Sequence, residues 1–156
     1  MHPESFPENM QRYENYKEQF KRLNKAVNQK FFLEAMFISY AIMEDRTESI
    51  LKHGNLWDAY LKHIRGREPS IHTKIKYIIK RAEQRNTILN KYFSDDLLNE
   101  ILSWKDERNT LIHVLMKQSL TTEKLESLAI QGKNLARTLT NRSSSYRRAI
   151  EKIENT

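Results

Sequence analysis

Cysteine is absent from the chain, so neither a disulfide nor a thiolate zinc site is open to it. Glycine and proline are scarce, with three of each, and Pro3 and Pro7 both fall at the start. So few breakers leave room for long uninterrupted helices and exclude a Gly-rich phosphate loop. No apolar run reaches the length of a membrane span, and no signal peptide is visible. No serine sits in a nucleophile elbow, and no His/Asp/Glu spacing makes a strong metal site. The expectation is a protein without metal or cofactor and without membrane contact, for which a cytoplasmic location is the simplest reading.

Charge is abundant. Asp, Glu, Lys and Arg make up 30% of the 156 residues, the net charge is +7 and the pI is about 9.6. A basic surface attracts polyanions such as RNA by neutralising phosphates, although it also serves plain solubility. The length suits one domain with a real core. Residues 1–7 read as a loose tail and 8–156 as a single helical domain.

The periodicity predicts an all-α bundle of about five helices. Met10, Tyr13, Phe20, Leu23 and Val27 form an apolar stripe over 8–28. Residues 31–53 are the most apolar stretch and read as a central helix buried on most sides, stopped by Gly54. Within it Arg46 shares a face with Ala35, Ser39 and Ile42, whereas Glu44 follows Phe37 and Tyr40. An inward charge must find a partner, either at a functional site or in an internal ion pair. Residues 57–64 suit a short helix and 65–69 a turn-rich link. Ser70 can cap a helix reaching about Tyr92, with Lys74, Lys76, Lys80, Arg81 and Arg85 making it basic. Ser94 can cap the next helix, and Thr121 or Thr122 the last one, with a break expected near 141–145. Arg137, Arg142, Arg147 and Arg148 gather there beside Tyr146, either as an RNA backbone-binding arm or as an ordinary basic C-terminus.

The densest polar constellation is Arg108-Asn109-Thr110-Leu111-Ile112-His113. On a helix Asp106, Asn109 and His113 share one face, while Leu111, Val114 and Leu115 can anchor the segment in a core. Arg108 is a permanent planar cation suited to phosphate oxygens, and histidine is the side chain that titrates near neutrality. On one straight helix these two diverge by about 140°. A local break or a second subunit would bring them to one phosphate.

This hexapeptide resembles the signature of the HEPN superfamily, an Arg followed after four to six residues by a His, often with Asn directly after the Arg. The loose pattern also fits Arg46 to His53 and Arg67 to His72, but the form with Asn occurs once. The resemblance implies a small all-helical domain acting as a homodimer. Two motifs would line one cleft that cuts single-stranded RNA without a metal, in a toxin or defence setting with a possible cognate antitoxin. It implies Arg108, Asn109 and His113 as catalytic residues; Glu44, Arg46 and Asp106 are supporting candidates by their own placement on the helices. In family members paired with a nucleotidyltransferase antitoxin, a modified tyrosine stands two residues after the histidine. Here that residue is Leu115. The alternatives are a HEPN-like module that binds RNA or a nucleotide without cutting it, and a helical interaction protein.

Overall fold

The computed structural model describes residues 6–156, with side chains from residue 10 onward. Its helices are α1 (Phe6–Asn28), α2 (Phe32–His53), α3 (Trp57–His63), α4 (Ile71–Ala82), α5 (Ile88–Phe93), α6 (Leu97–Val114) and α7 (Thr122–Glu154). No strand occurs among the described residues. Of the tail expected over 1–7, residues 1–5 lie outside the described residues, and α1 begins at Phe6.

Among the described residues there are seven helices where about five were expected, and the difference has local causes. The segment 70–92 is split. Asn86 takes a left-handed conformation (φ 64°), which asparagine tolerates better than most residues. Thr87 then starts α5 by accepting from the Asn90 backbone N–H at 3.1 Å, and Asn90 Nδ2 donates back to the Ala82 carbonyl at 2.7 Å. Ser94 ends α5 rather than starting α6, whose N-cap is Asp96. The Ser70 cap forms as a reciprocal box with Thr73, and Thr121 accepts from the Lys124 N–H at 3.2 Å. The break expected near 141–145 is absent, and α7 runs through it. Ser145 spends its hydroxyl on the Asn141 carbonyl one turn back, and Ser143 is buried, so both serines are accommodated in the helix.

Helix α2 is the centre. It packs most extensively on α7 and also meets α1, α3 and α4. Ala35, Met36, Met43, Ile50 and Leu51 are fully enclosed. Its first turns are less buried than the apolar pattern implies: Phe31, Leu33 and Phe37 are 55%, 42% and 66% exposed. An unbroken apolar run cannot show which face its neighbours leave uncovered. Gly54 does end α2, but with φ −82°; the left-handed residue is Asn55 (φ 55°). What Gly54 supplies is room, because a Cβ there would lie 2.4 Å from the Tyr146 hydroxyl.

Helix α6 is docked by Trp104, which is fully buried. Its Nε1 donates to the Leu128 carbonyl at 2.8 Å. The ring lies over Gly132 of α7, where a Cβ would come within 2.4 Å of Cζ2 and 2.7 Å of Cε2. Mid-helix, glycine costs about 0.5–1 kcal/mol relative to alanine. Gly132→Ala would recover that amount yet force the indole out of its seat, and overpacking typically costs about 1–3 kcal/mol. The expected result is a net loss of stability in urea unfolding, and a variant as stable as wild type would contradict this packing.

Candidate functional site

Helix α6 is continuous through Asp106–His113. The local break that would have turned Arg108 and His113 together is therefore absent, and the two leave the helix in different directions. Arg108 lies one turn beyond Trp104 and is half-buried. Its guanidinium sits over the Tyr40 ring of α2, 4.4 Å from the centroid, and its Nη1 donates to Asn109 Oδ1 at 3.0 Å. Its Nε is buried without a hydrogen-bond partner, and it forms no ion pair with a carboxylate among the described residues. The cation is thus oriented by a ring and an amide, with its charge left uncompensated. Burial, then the Glu44 carboxylate, push the Tyr40 phenol above its ordinary range, and Arg108 pulls the other way. Glu44 and Arg108 therefore act on the same hydroxyl from opposite signs.

Asn109 and His113 are exposed, and His113 makes no hydrogen bond or ion pair among the described residues. Asp106 is turned to the α4 side. It pairs with Lys105 at 3.1 Å, and the same Lys105 Nζ lies 3.1 Å from His72 Nδ1. Ile112, 43% exposed, and Met116, 92% exposed, add apolar surface beside the histidine. The fold therefore brings together Arg108, Asn109, Tyr40 and Glu44. It does not join His113 or Asp106 to them within one chain.

Arg46 faces α1, away from this group. Its Nε donates to the Tyr16 hydroxyl at 2.5 Å, its Nη2 pairs with Asp45 at 3.1 Å, and its guanidinium lies 4.0 Å from the Tyr16 ring centroid. Tyr16 also donates to Asp45, and Arg12 approaches that carboxylate at 3.5 Å. The inward charge has thus found its partners in an α1–α2 network. Lys74, read from the sequence as part of a basic α4 face, is buried and donates to the Glu44 carbonyl at 3.3 Å.

The four C-terminal arginines separate. Arg142 ties α7 to the start of α6 through both oxygens of Asp95, at 2.5 and 2.6 Å, and reaches the Tyr92 carbonyl at 3.3 Å. Arg148 donates to Ser145 on its own helix at 3.2 Å. Arg137 lies over the Phe20 ring of α1, 4.9 Å from the centroid, and Arg147 approaches Glu151 at 3.7 Å. Arg137 and Arg147 both line a cleft between α1 and α7.

Tyr40, Tyr16 and Asp45 are the partners that sequence reasoning missed. Tyr40 stands one turn before Glu44, and an aromatic next to a carboxylate on a helix face was the available signal. Among the described residues no three His, Asp or Glu side chains converge as metal ligands. A scan against protein-family models, a search of curated proteins and a search of solved structures each returned no match.

Asp45 gives a pH prediction. Burial alone would raise its carboxyl, but the hydrogen bonds from Tyr16 and Arg46 and the charges of Arg46 and Arg12 outweigh it, so its pKa lies below the ordinary 3.8. A carboxylate with a depressed folded pKa binds its proton more readily when unfolded. Its stabilisation is therefore complete above the ordinary value and is lost as pH falls through the folded one. The melting temperature of wild type should drop on acidification below about pH 4. Asp45→Asn should be less stable at neutral pH and show a shallower acid limb; parallel curves for the two proteins would rule the coupling out.

Proposed function

We propose that the protein is a HEPN-like, metal-independent endoribonuclease that cuts single-stranded RNA at a cleft formed by two copies of α6. The observation that carries this reading is the held but uncompensated Arg108. A guanidinium stacked on Tyr40 and braced by Asn109 is oriented before any ligand arrives, and its charge suits a phosphate. The resemblance of Arg108-Asn109-Thr110-Leu111-Ile112-His113 to the HEPN signature supplies the chemistry. The exposed His113 on the same unbroken helix supports a site completed by a second copy.

In this mechanism RNA brings its own nucleophile. One copy's His113 withdraws the proton of the 2′-OH, whose oxygen attacks the adjacent phosphorus. Arg108 stabilises the charge gathering on the phosphoryl oxygens. The bond to the 5′-oxygen breaks, that oxygen takes a proton from the second copy's His113, and a 2′,3′-cyclic phosphate remains. Asn109 keeps the guanidinium in plane with the phosphate. Glu44 tunes the site through Tyr40, and Asp106 holds the α6 edge by its pair with Lys105.

Cleavage of an end-labelled RNA in EDTA tests this. Arg108→Ala and His113→Ala should each lose on the order of 10²-fold or more, and a 2′-deoxy substitution at the scissile position should block cutting. At constant total protein, an equal mixture of wild type and His113→Ala should show about a quarter of the activity of wild type alone, since random pairing leaves that share of intact two-fold dimers. Activity near one half would mean that each copy works alone. Wild type that binds RNA through Arg108 but never cuts it would be a non-catalytic RNA-binding module. If no RNA is bound either, a helical interaction protein becomes the better reading.

A further inference from the structure

Helices α1 and α7 both pack on α2 but touch each other little. Between them, over the second half of α2, lies an open cleft of about 1450 Å³. That exceeds the roughly 300–1,000 Å³ usual for a compact small-molecule pocket. Tyr13, Lys17, Lys21 and Asn24 line the α1 wall at helical spacing, a row about 16 Å long. Arg137, Thr140 and Arg147 line the facing wall. The stack of Arg137 on Phe20 joins the two walls at one end.

Two features set this cleft apart from an ordinary solvated face. Among the described residues five buried side-chain polar atoms lack a hydrogen-bond partner, and three belong to residues that line the cleft: Asn24 Oδ1, Thr140 Oγ1 and Arg147 Nε, the last 3.7 Å from Glu151. A buried polar atom left unpaired costs free energy, so a ligand that brings donors and acceptors is favoured once these side chains turn toward it. The second feature is the interleaving of cations with an aromatic surface. Tyr13 is 63% exposed beside Lys17 and Lys21, a platform on which a base can stack while phosphates meet the lysines. Four acids also line the cleft, Glu14 and Glu18 on α1 among the lysines and Glu151 and Glu154 on α7. Glu151 approaches Arg147 at 3.7 Å and Glu18 turns to Arg22 at 3.9 Å, while Lys17, Lys21 and Arg137 form no ion pair among the described residues.

We infer that the α1–α7 cleft is a binding track for a single strand of RNA. Phosphates lie along Lys17, Lys21 and Arg137, a base stacks on Tyr13, and Asn24 accepts from a base amino group or a ribose hydroxyl. This rests on RNA being the ligand of the proposed function, but not on its being cut. The cleft is built from α1, α2 and α7, whereas Arg108 and His113 lie on α6.

The test is fluorescence anisotropy of a labelled 12-nucleotide oligouridylate on the full chain carrying His113→Ala, which prevents cutting. Lys17→Glu with Lys21→Glu should weaken binding at least about tenfold. It should also lower the slope of log affinity against log salt by about 1.4, the release expected from two phosphate contacts on a single strand. Tyr13→Ala should cost about tenfold, the loss of one stacked base, without changing that slope. Lys62→Glu with Lys76→Glu makes the same change in net charge at exposed positions outside the cleft and should cost less than about threefold. Equal losses from the two charge-reversal pairs overturn the proposal. So does displacement of the RNA by oligoglutamate as readily as by unlabelled RNA, which would make the cleft a general acidic-peptide binder. If wild type fails to cleave while this binding pattern holds, the nuclease reading falls alone. If wild type cleaves and the Lys17/Lys21 variant binds and cuts normally, the cleft falls alone.

Discussion

Everything about the motif helix depends on one contact, the seating of Trp104 over Gly132. Two long helices cannot approach closely with ordinary side chains between them. Here the largest side chain in the chain is matched by the absence of one. The indole N–H reaches the Leu128 carbonyl, a bond that fixes the rotation of α6 about its axis as well as its distance from α7. Once that rotation is set, the residue one turn later has no freedom in direction. Arg108 must project toward α2, and there it meets Tyr40. The placement of a surface cation is thus decided by a fully buried tryptophan.

The interior follows the same logic with charges. Arg46, Lys74 and Lys105 are each largely buried, and each has its nitrogen spoken for: Arg46 by Tyr16 and Asp45, Lys74 by the Glu44 carbonyl, Lys105 by Asp106 and His72. Burying a charge is costly unless it is paired or hydrogen-bonded, so each case pins a pair of helices in one register. These contacts tie α1 to α2, α4 to α2 and α6 to α4. Arg108 differs from all three, because its cation is stacked and braced yet its buried Nε has no hydrogen-bond partner.

Much of the helical layout is readable in the sequence, and the failures are instructive. The caps at Ser70 and Thr121 are local signals, since a hydroxyl and the N–H three residues on suffice. The split between α4 and α5 turns on Asn86 adopting a left-handed conformation, a choice that sequence marks only weakly. The unbroken α7 shows the reverse error. Three consecutive serines look like a turn, but packing against α2 outweighs their modest propensity. In the site, the hexapeptide is visible as a pattern, while the ring on which its arginine stacks, Tyr40, lies 68 positions earlier and is joined to it only by packing. Arg46 shows that an inward-facing charge can be inferred from periodicity, but not which neighbour answers it.

The continuity of α6 constrains any chemistry that uses both ends of the motif. Five residues of helix separate Arg108 from His113 by about 7.5 Å along the axis and about 140° around it. Arg108 is held in place by Tyr40 and Asn109, so it cannot swing round to meet the histidine. The two side chains leave one straight helix about 140° apart, so a single copy does not aim both at one phosphate. If both residues act in one step, the missing half has to arrive on another chain. A two-fold arrangement supplies it without new sequence, because the same helix then offers its arginine face and its histidine face twice over. The exposed Ile112 and Met116 beside His113 are apolar surface of the kind such a contact covers. Under the proposed function the straightness of α6 calls for a second copy, and the site then belongs to two helices.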